Sequence, residues 1–334
     1  MKSQGRGVTM KVKKLVALVV ICTLLGTMLL GCSRQTNYST VSKEDDDTRS
    51  YSTVSKEDCD TPSLQNKVVY VLGDSIAYLN GSWVESLAEK TGASKVINCS
   101  RAGATWAWRD SYESYWTSEL LTKEIVATIS ADGKTVSFDG NEDLTNGNIP
   151  INNNNYTYIN NELAFMQRLL QEGYEHPDVI VVACGINDTS SYTEIYSDEL
   201  FEKKFYTDRD SLDESVKKTL GGGLRANLEA LKELYPDSMI IISTPIQSAY
   251  AYLRPYIPNT CTWIKKFAEY YSIPVIDAYS ESGITAEFEK GWNNTSYTGE
   301  GTEGKYLFDG LHPNSDGYKL LSDYYAKQIN KLCQ

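Results

Sequence analysis

Three short polar motifs carry side chains that could together form an activated nucleophile. Gly73-Asp74-Ser75 supplies a hydroxyl, Gly185-Ile186-Asn187-Asp188 supplies an amide, and Asp309-Gly310-Leu311-His312 supplies a carboxylate and an imidazole. A serine hydroxyl is a weak nucleophile at neutral pH and needs an adjacent base. An imidazole can take the proton, and a carboxylate can hold that imidazole in the required tautomer. This combination of residue types predicts acyl transfer through a serine.

The base in such a mechanism has few candidates, because the sequence contains only two histidines. His176 lies just before a predicted strand and is expected on a surface loop. His312 follows Asp309 by three residues, so one helical turn would direct both side chains the same way. Two histidines also exclude a His-rich metal site, and no cofactor is implied.

The elements that must position these motifs alternate between short apolar runs and amphipathic stretches. Such alternation predicts an α/β domain with a parallel sheet and helices on both faces. Functional sites in these sheets form at the carboxyl ends of the strands. The predicted strands are Lys67–Leu72, Lys95–Asn98, Val179–Cys184, Met239–Ser243 and Pro274–Asp277. The predicted helices are Trp83–Lys90, Leu212–Leu234 with a break at Gly221–Gly223, Thr262–Tyr271 and Tyr318–Leu332.

Two segments are longer than connections between elements require. Residues 106–158 form a predicted insertion, and within it Ala127–Ser130 and Thr135–Phe138 flank Asp132-Gly133 in the pattern of a hairpin. Residues 281–305 are rich in Gly, Thr and Glu. Long loops on a rigid scaffold often shape a site, although decorative insertions are an open alternative.

The Gly-Asp-Ser, Gly-Ile-Asn-Asp and Asp-Gly-Leu-His motifs follow one another along a predicted α/β domain. In this order they resemble the motifs of the SGNH hydrolases, also called GDSL esterases and lipases. The resemblance covers residues 66–334, with Ile76 in the place of the leucine that gives the family its name and Gly103 at the glycine of the second block. It implies a flavodoxin-like, three-layer α/β/α sandwich around a parallel five-stranded sheet.

The resemblance also implies a role for each site residue. Ser75 would be the nucleophile, His312 the base and Asp309 the acid of the triad. The oxyanion hole would consist of the backbone N–H groups of Ser75 and Gly103 and the side-chain amide of Asn187.

Residues 1–31 have the features of an export signal. Lysines precede an uncharged run, Leu15–Ser33, and a basic flank before an apolar segment is typical of a secretory signal peptide. The run includes Leu29-Leu30-Gly31-Cys32, which resembles a bacterial lipobox and implies cleavage before Cys32 and a lipid on its sulfur. The protein is then expected to be extracytoplasmic, lipid-anchored to the bacterial cell membrane. An uncleaved anchor helix is the alternative, and either Met1 or Met10 could be the start.

Residues 32–65 are predicted to be a flexible linker before the body at 66–334. They contain a duplicated 13-residue segment, Tyr38–Ser50 and Tyr51–Ser63, rich in Ser, Thr and Asp with little to bury. The cysteines left after export are odd in number and irregularly spaced, which argues against a disulfide scaffold. They are interpreted as small core residues, and a Cys59–Cys333 bridge is left open.

The composition favours a polar substrate over a nucleic acid or a long acyl chain. A net charge of −12 repels phosphate backbones. The 24 Tyr outnumber the 7 Phe, whereas a tunnel for a long acyl chain would favour Phe. Aromatic faces can stack on sugar rings. The candidate stacking residues are those between Trp106 and Trp116, with core packing as the alternative for those two tryptophans, and Tyr250, Tyr252 and Tyr256.

The sequence therefore predicts an extracellular serine esterase that removes small acyl groups, above all acetyl, from carbohydrate. A lipase, lysophospholipase or thioesterase of the same family is the second hypothesis. A catalytically silent, glycan-binding surface lipoprotein is the third, against which the complete set of Ser75, Asp309 and His312 argues. The expected partners are an acylated small molecule or polysaccharide and the membrane that holds the anchor, with no nucleic acid.

Overall fold

A single mixed sheet forms the centre of the described protein. The computed structural model describes residues 63–107, 127–138, 159–189, 218–289 and 304–334. Within these ranges the strands are β1 (Val68–Gly73), β2 (Lys95–Asn98), β3 (Ala127–Ile129), β4 (Thr135–Phe138), β5 (Val179–Ala183), β6 (Met239–Ser243) and β7 (Val275–Ile276). Their order across the sheet is β3-β4-β2-β1-β5-β6-β7, and all neighbours are parallel except β3 and β4.

Helices connect the strands and cover the sheet. They are α1 (Ser75–Tyr78), α2 (Leu87–Thr91), α3 (Ile159–Gln171), α4 (Leu220–Leu234), α5 (Ile257–Tyr271), α6 (Ala278–Glu281) and α7 (Ser315–Leu332). Short 3₁₀ turns lie at Ile186–Thr189 and Ala286–Phe288. Among the described helices, none is long and apolar enough to cross a membrane.

Two hydrophobic cores lie on opposite faces of the sheet, as the alternation along β1 demonstrates. Val69 and Val71 pack into the core that α2 and α7 cover, whereas Tyr70 and Leu72 pack into the core that α3 and α4 cover. Successive side chains of a strand point to opposite faces, so a strand buried on both sides is apolar throughout. The predicted α/β architecture, with helices on both faces of a largely parallel sheet, is confirmed.

The sheet has seven strands among the described residues, so the prediction of five was wrong. The two additional strands are the predicted hairpin, in which Ala127 pairs with Phe138 in antiparallel register. Strand β4 also pairs with β2 in parallel register. Val136 and Phe138 are buried in the core on the α3 side, and this apolar face explains why the hairpin extends the sheet instead of remaining a surface insertion.

Helix α3 has no counterpart among the predicted elements. Its buried residues Ile159, Leu163, Met166 and Leu169 follow the i, i+3/i+4 spacing of an amphipathic helix. The signal was therefore present in the sequence, at the end of the long Asn-rich insertion.

The three consecutive glycines 221–223 lie inside the first turns of α4 and do not interrupt it, contrary to the sequence prediction. Thr219 caps the helix by accepting a hydrogen bond from the Gly222 N–H at 3.3 Å. A Cβ on Gly223 would lie 2.2 Å from the carbonyl oxygen of Trp106. Glycine is thus required here because the helix approaches another backbone segment closely.

Cysteines in the described ranges are free thiols. Cys99, Cys184 and Cys261 are buried, which confirms their interpretation as core residues, and Cys333 is half-buried. Cys59, the lipobox cysteine Cys32 and the rest of the predicted signal and linker up to residue 62 lie outside the described residues.

Candidate active site

Ser75 lies directly after β1, on a turn that a glycine makes possible. A Cβ on Gly73 would be 2.6 Å from the carbonyl oxygen of Ala183 on the neighbouring strand β5. Asp74 caps α1 by accepting the Ile76 N–H at 3.0 Å. Ser75 thereby becomes the first residue of α1 at the carboxyl edge of the sheet, with 7% of its surface exposed.

Asp309 and His312 face the same way because of a tight loop rather than the helical turn that their spacing suggested. Asp309 Oδ1 accepts the backbone N–H groups of Leu311 at 2.8 Å and His312 at 2.7 Å. Gly310 has φ of 87°, a conformation that favours glycine. An Asx-type turn therefore replaces the helical turn, just before α7 begins.

The structure brings Ser75, His312 and Asp309 together. Ser75 Oγ lies 3.0 Å from His312 Nε2, and His312 Nδ1 lies 2.7 Å from Asp309 Oδ2. All three side chains are buried. In this arrangement the imidazole can accept the serine proton while the carboxylate orients the imidazole from the opposite side.

Asp309 is held as a carboxylate. Burial by itself raises its pKa, but the His312 ring and the backbone N–H groups of His312 and Leu311 outweigh that effect and lower the pKa below its usual range. The anion can therefore stabilise an imidazolium that forms beside it.

The two backbone N–H groups predicted to serve as oxyanion donors belong to neighbouring segments, because the Arg101 N–H, two residues before Gly103, donates to the carbonyl of Gly73 at 2.9 Å. The Ser75 N–H has no acceptor inside its own helix because it begins α1, and Gly103 adopts a φ of 74°. Within the described part of the chain, no hydrogen bond uses either N–H. Asn187 Nδ2 donates to the carbonyl of Ala104 at 3.0 Å, which places the amide beside the Gly103 loop.

Asp188, which follows Asn187, holds the start of the loop after Thr105. Its two oxygens accept the backbone N–H groups of Trp106 at 3.0 Å and Ala107 at 2.9 Å. Trp106 is fully buried and donates its indole N–H to the Cys184 carbonyl at 3.1 Å. Trp106 is thus a core residue, and the remaining aromatic residues up to Trp116 lie outside the described ranges.

One of the tyrosines from the segment after β6 lies beside the loop of Asp309 and His312. The buried Tyr250 packs on Gly310, where a Cβ would be 3.3 Å from the tyrosine ring. The ring of Tyr252 lies 5.5 Å from that of Tyr250, centroid to centroid, and is 54% exposed. Tyr256 is 48% exposed. Two of the three tyrosines therefore present aromatic surface to solvent.

Glu162 of α3 is a buried carboxyl group that sequence reasoning missed. It is fully buried and its Oε2 accepts the Gly73 N–H at 2.8 Å. Burial raises its pKa well above the usual range, against the lowering effects of the Gly73 N–H and the Arg101 charge. A glutamate on the apolar face of an amphipathic helix was the available signal.

Asp74 is a second buried carboxyl group behind Ser75. Burial raises its pKa to about 7, although the Ile76 N–H acts in the opposite direction. Asp74 thus titrates near neutrality while it caps the helix that carries the serine.

The second histidine, His176, does not belong to the group formed by Ser75, His312 and Asp309. His176 is exposed in the loop before β5, as predicted. In the ranges that the structure describes, no group of three or more His, Cys, Asp or Glu residues could hold a metal ion.

Comparison with known proteins gives a family match over most of the chain. The model of the family described as GDSL-like lipase/acylhydrolase matches residues 69–325. No curated protein matches the chain. Among solved structures, a lipase/acylhydrolase from Enterococcus faecalis is 16% identical with a TM-score of 0.43, over 80% of this chain and 96% of that one. A GDSL-like lipase from Bacteroides thetaiotaomicron VPI-5482 is 15% identical with a TM-score of 0.38, over 80% and 89%.

Proposed function

Since the chain belongs to the GDSL-like lipase/acylhydrolase family and is an ester hydrolase, we propose that it removes short acyl groups, above all acetyl, from carbohydrate. We propose further that it acts outside the cytoplasm, anchored by a lipid on Cys32. The observation that carries the proposed chemistry is the pair of contacts from His312, 3.0 Å to Ser75 Oγ and 2.7 Å to Asp309 Oδ2.

In the proposed mechanism, Ser75 Oγ attacks the ester carbonyl while His312 Nε2 takes its proton. The N–H groups of Ser75 and Gly103 and the Asn187 amide receive the oxyanion of the tetrahedral intermediate. His312 then donates its proton to the leaving alcohol, and an acyl-serine remains. Water, deprotonated by the same imidazole, releases the carboxylic acid and restores the serine.

The exposed tyrosines support a carbohydrate as the part of the substrate that leaves. Tyr252 presents more than half of its surface next to Tyr250, which packs on the loop that carries Asp309 and His312. An aromatic face with a hydroxyl at its edge can stack on a sugar ring and also hydrogen-bond to it. We therefore propose Tyr252 as a stacking surface for the sugar.

The first experiment tests the serine mechanism and the acyl preference together. The full chain in detergent is assayed on p-nitrophenyl acetate, butyrate and octanoate, as wild type, Ser75→Ala and Ser94→Ala. Ser94 is an exposed serine that precedes β2 at the opposite edge of the sheet, so its variant is the matched control. We expect acetate to be the best substrate, with activity lost only in Ser75→Ala.

Other outcomes of that experiment would favour the other hypotheses. A maximum at octanoate would contradict the carbohydrate proposal and support a lipase or thioesterase. If folded wild-type protein hydrolysed no ester and a fluorophosphonate probe failed to label Ser75, the serine mechanism would be wrong and a glycan-binding role would replace it.

A second experiment tests the sugar-stacking role of Tyr252. On an acetylated oligosaccharide, Tyr252→Ala is expected to raise KM several-fold, because the aromatic surface for the sugar ring is lost, while p-nitrophenyl acetate hydrolysis is unchanged. Tyr270→Ala removes a comparably exposed tyrosine from α5 and should change neither value. Equal KM values for wild type and Tyr252→Ala would contradict the role.

The anchor is tested by metabolic labelling with an alkyne-bearing fatty acid in a bacterial host. Wild-type protein is expected to incorporate the label, Cys32→Ser to lose it, and Cys59→Ser to retain it. Label retained in Cys32→Ser would exclude the proposed anchor on that sulfur.

A further inference from the structure

Helix α3 lies against both loops that supply the candidate oxyanion donors. We propose that Glu162 on this helix is a positioning residue, which holds the Ser75 turn and the Gly103 loop at the separation their N–H groups need to receive one oxyanion. The inference rests on the proposed function and adds to it a residue that touches neither substrate nor reacting atoms.

On the nucleophile side, Glu162 fixes the residue that ends β1. Its Oε2 accepts the Gly73 N–H at 2.8 Å, two residues before Ser75. The carbonyl of the same glycine accepts the Arg101 N–H at 2.9 Å, two residues before Gly103. Gly73 therefore joins the two loops, and Glu162 holds it from behind.

On the other side, α3 contacts the Gly103 loop directly. The Ile159 N–H at the start of the helix donates to the Thr105 carbonyl at 3.0 Å. The Phe165 ring, one turn after Glu162, lies 4.8 Å from the guanidinium carbon of Arg101. These contacts and the Glu162 bond lie within two turns of one helix, so a rigid element sets the spacing of the two loops.

A packing role alone does not account for this side chain. Glu162 is fully buried, and its Oε1 has no hydrogen-bond partner among the described residues. Burial of a carboxyl group is costly, and an apolar side chain of similar length would fill the same space at lower cost. The bond to Gly73 is the contact that an apolar residue could not provide.

Three substitutions separate the hydrogen bond from charge and packing. Glu162→Gln keeps an oxygen at the same reach, Glu162→Asp is one methylene too short to reach the Gly73 N–H, and Glu162→Met fills the space without an acceptor. We expect kcat on p-nitrophenyl acetate to fall about 10- to 100-fold in the Asp and Met variants, with KM unchanged. The Gln variant should remain within threefold of wild type.

The second readout is a trifluoromethyl ketone inhibitor, whose adduct with the serine carries an oxyanion. Its inhibition constant should rise in the Asp and Met variants by the same factor by which kcat falls, because both depend on the oxyanion donors. The matched control is Asp178→Leu. Asp178 accepts the Val68 N–H at 2.8 Å at the opposite end of β1, so its loss should lower Tm and leave kcat and the inhibition constant unchanged.

All measurements use the full chain in detergent, with melting curves for each variant. A Glu162→Asp variant with wild-type kcat and a wild-type inhibition constant would overturn the inference and leave the proposed function intact. A Glu162→Gln variant as impaired as Glu162→Asp would do the same. If the Met variant fails to fold, the contrast between Gln and Asp decides. Absence of esterase activity and of fluorophosphonate labelling in the wild type would overturn the function and the inference together.

Discussion

At the scale of single residues, Asp309 has two separate tasks, one for each oxygen. Oδ1 accepts two backbone N–H groups and forms the turn, and Oδ2 meets His312 Nδ1 at 2.7 Å. The turn therefore delivers the imidazole and the carboxylate as one preassembled unit to Ser75, and both tasks involve only residues Asp309–His312.

The two tasks can be separated by Asp309→Asn. Asparagine keeps an oxygen for the turn but presents an N–H₂ group to Nδ1, which favours the wrong tautomer of His312. We expect kcat on p-nitrophenyl acetate to fall by about 10⁴ in protein that melts cooperatively. Asp277→Asn, at the end of β7, is the control and should keep wild-type kcat. An Asp309→Asn variant within tenfold of wild type would contradict a triad role for Asp309.

Asp74 makes stability depend on pH in a predictable direction. Its pKa is raised to about 7 in the folded protein, whereas an unfolded aspartate titrates near 3.9. The folded state thus binds the proton more tightly, so this contribution to stability is complete below about pH 4 and is lost as the pH rises towards 7. Asn at position 74 cannot titrate but can still cap α1.

The measurement is urea unfolding of wild type and Asp74→Asn at pH 4, 5, 6 and 7. The free energy of unfolding of the wild type should fall relative to the variant as the pH rises, by at most about 1.4 kcal/mol per pH unit. Parallel pH curves for the two proteins would show that Asp74 does not titrate in this window.

At the scale of elements, the close approach of α4 to the loop of Trp106 determines where the candidate oxyanion residues lie. Asn227 on α4 donates to the Trp106 carbonyl at 3.1 Å, and Gly223 leaves room for that same carbonyl. Asp188 holds the N–H of Trp106 from the other side. The loop that includes Gly103 is therefore fixed by contacts from two elements distant in sequence.

Gly223→Ala tests this contact. In an unconstrained helix, alanine in place of glycine would stabilise by about 1 kcal/mol, but here the added Cβ would clash with the Trp106 carbonyl at 2.2 Å. We expect a net loss of about 1–3 kcal/mol in the free energy of unfolding, measured by urea denaturation, and a lower kcat. A variant more stable than wild type would mean that α4 and the loop can separate without cost.

At the scale of the whole molecule, the strands that carry the site lie at the centre of the sheet. β1 and β5, which precede Ser75 and Asn187, pair with each other and each has a further parallel neighbour. Among the strands that the structure describes, β3 lies at the edge and pairs with β4 alone, and its Ile129 is 60% exposed. The molecule therefore places its candidate active site on its most constrained strands.

Hydrogen–deuterium exchange followed by mass spectrometry can test that placement. Amides of β1 and β5 are expected to exchange most slowly, because only large-scale opening exposes them, and amides of β3 and β7 to exchange earlier. Peptides from β3 protected as strongly as those from β1 would contradict this order.

The sequence by itself determined the α/β fold class and the candidate reacting groups. A serine, an aspartate, a histidine and an amide placed next to apolar runs indicate candidate reacting groups locally, and the period of hydrophobic residues indicates strands and helices. The hairpin Ala127–Phe138 was also predicted, because Asp132-Gly133 and its flanking β-prone residues are local signals.

Only the tertiary structure decided how these groups meet. Four features depend on contacts between residues far apart in the chain. They are the pairing of the hairpin with the sheet, the place of Gly223 inside a helix, the burial of Trp106 and the bond from Glu162 to Gly73. No local propensity encodes such contacts, since each is favourable only when the partner element is already in place. The candidate reacting residues could therefore be named from the sequence, whereas the buried groups that hold them in place could not.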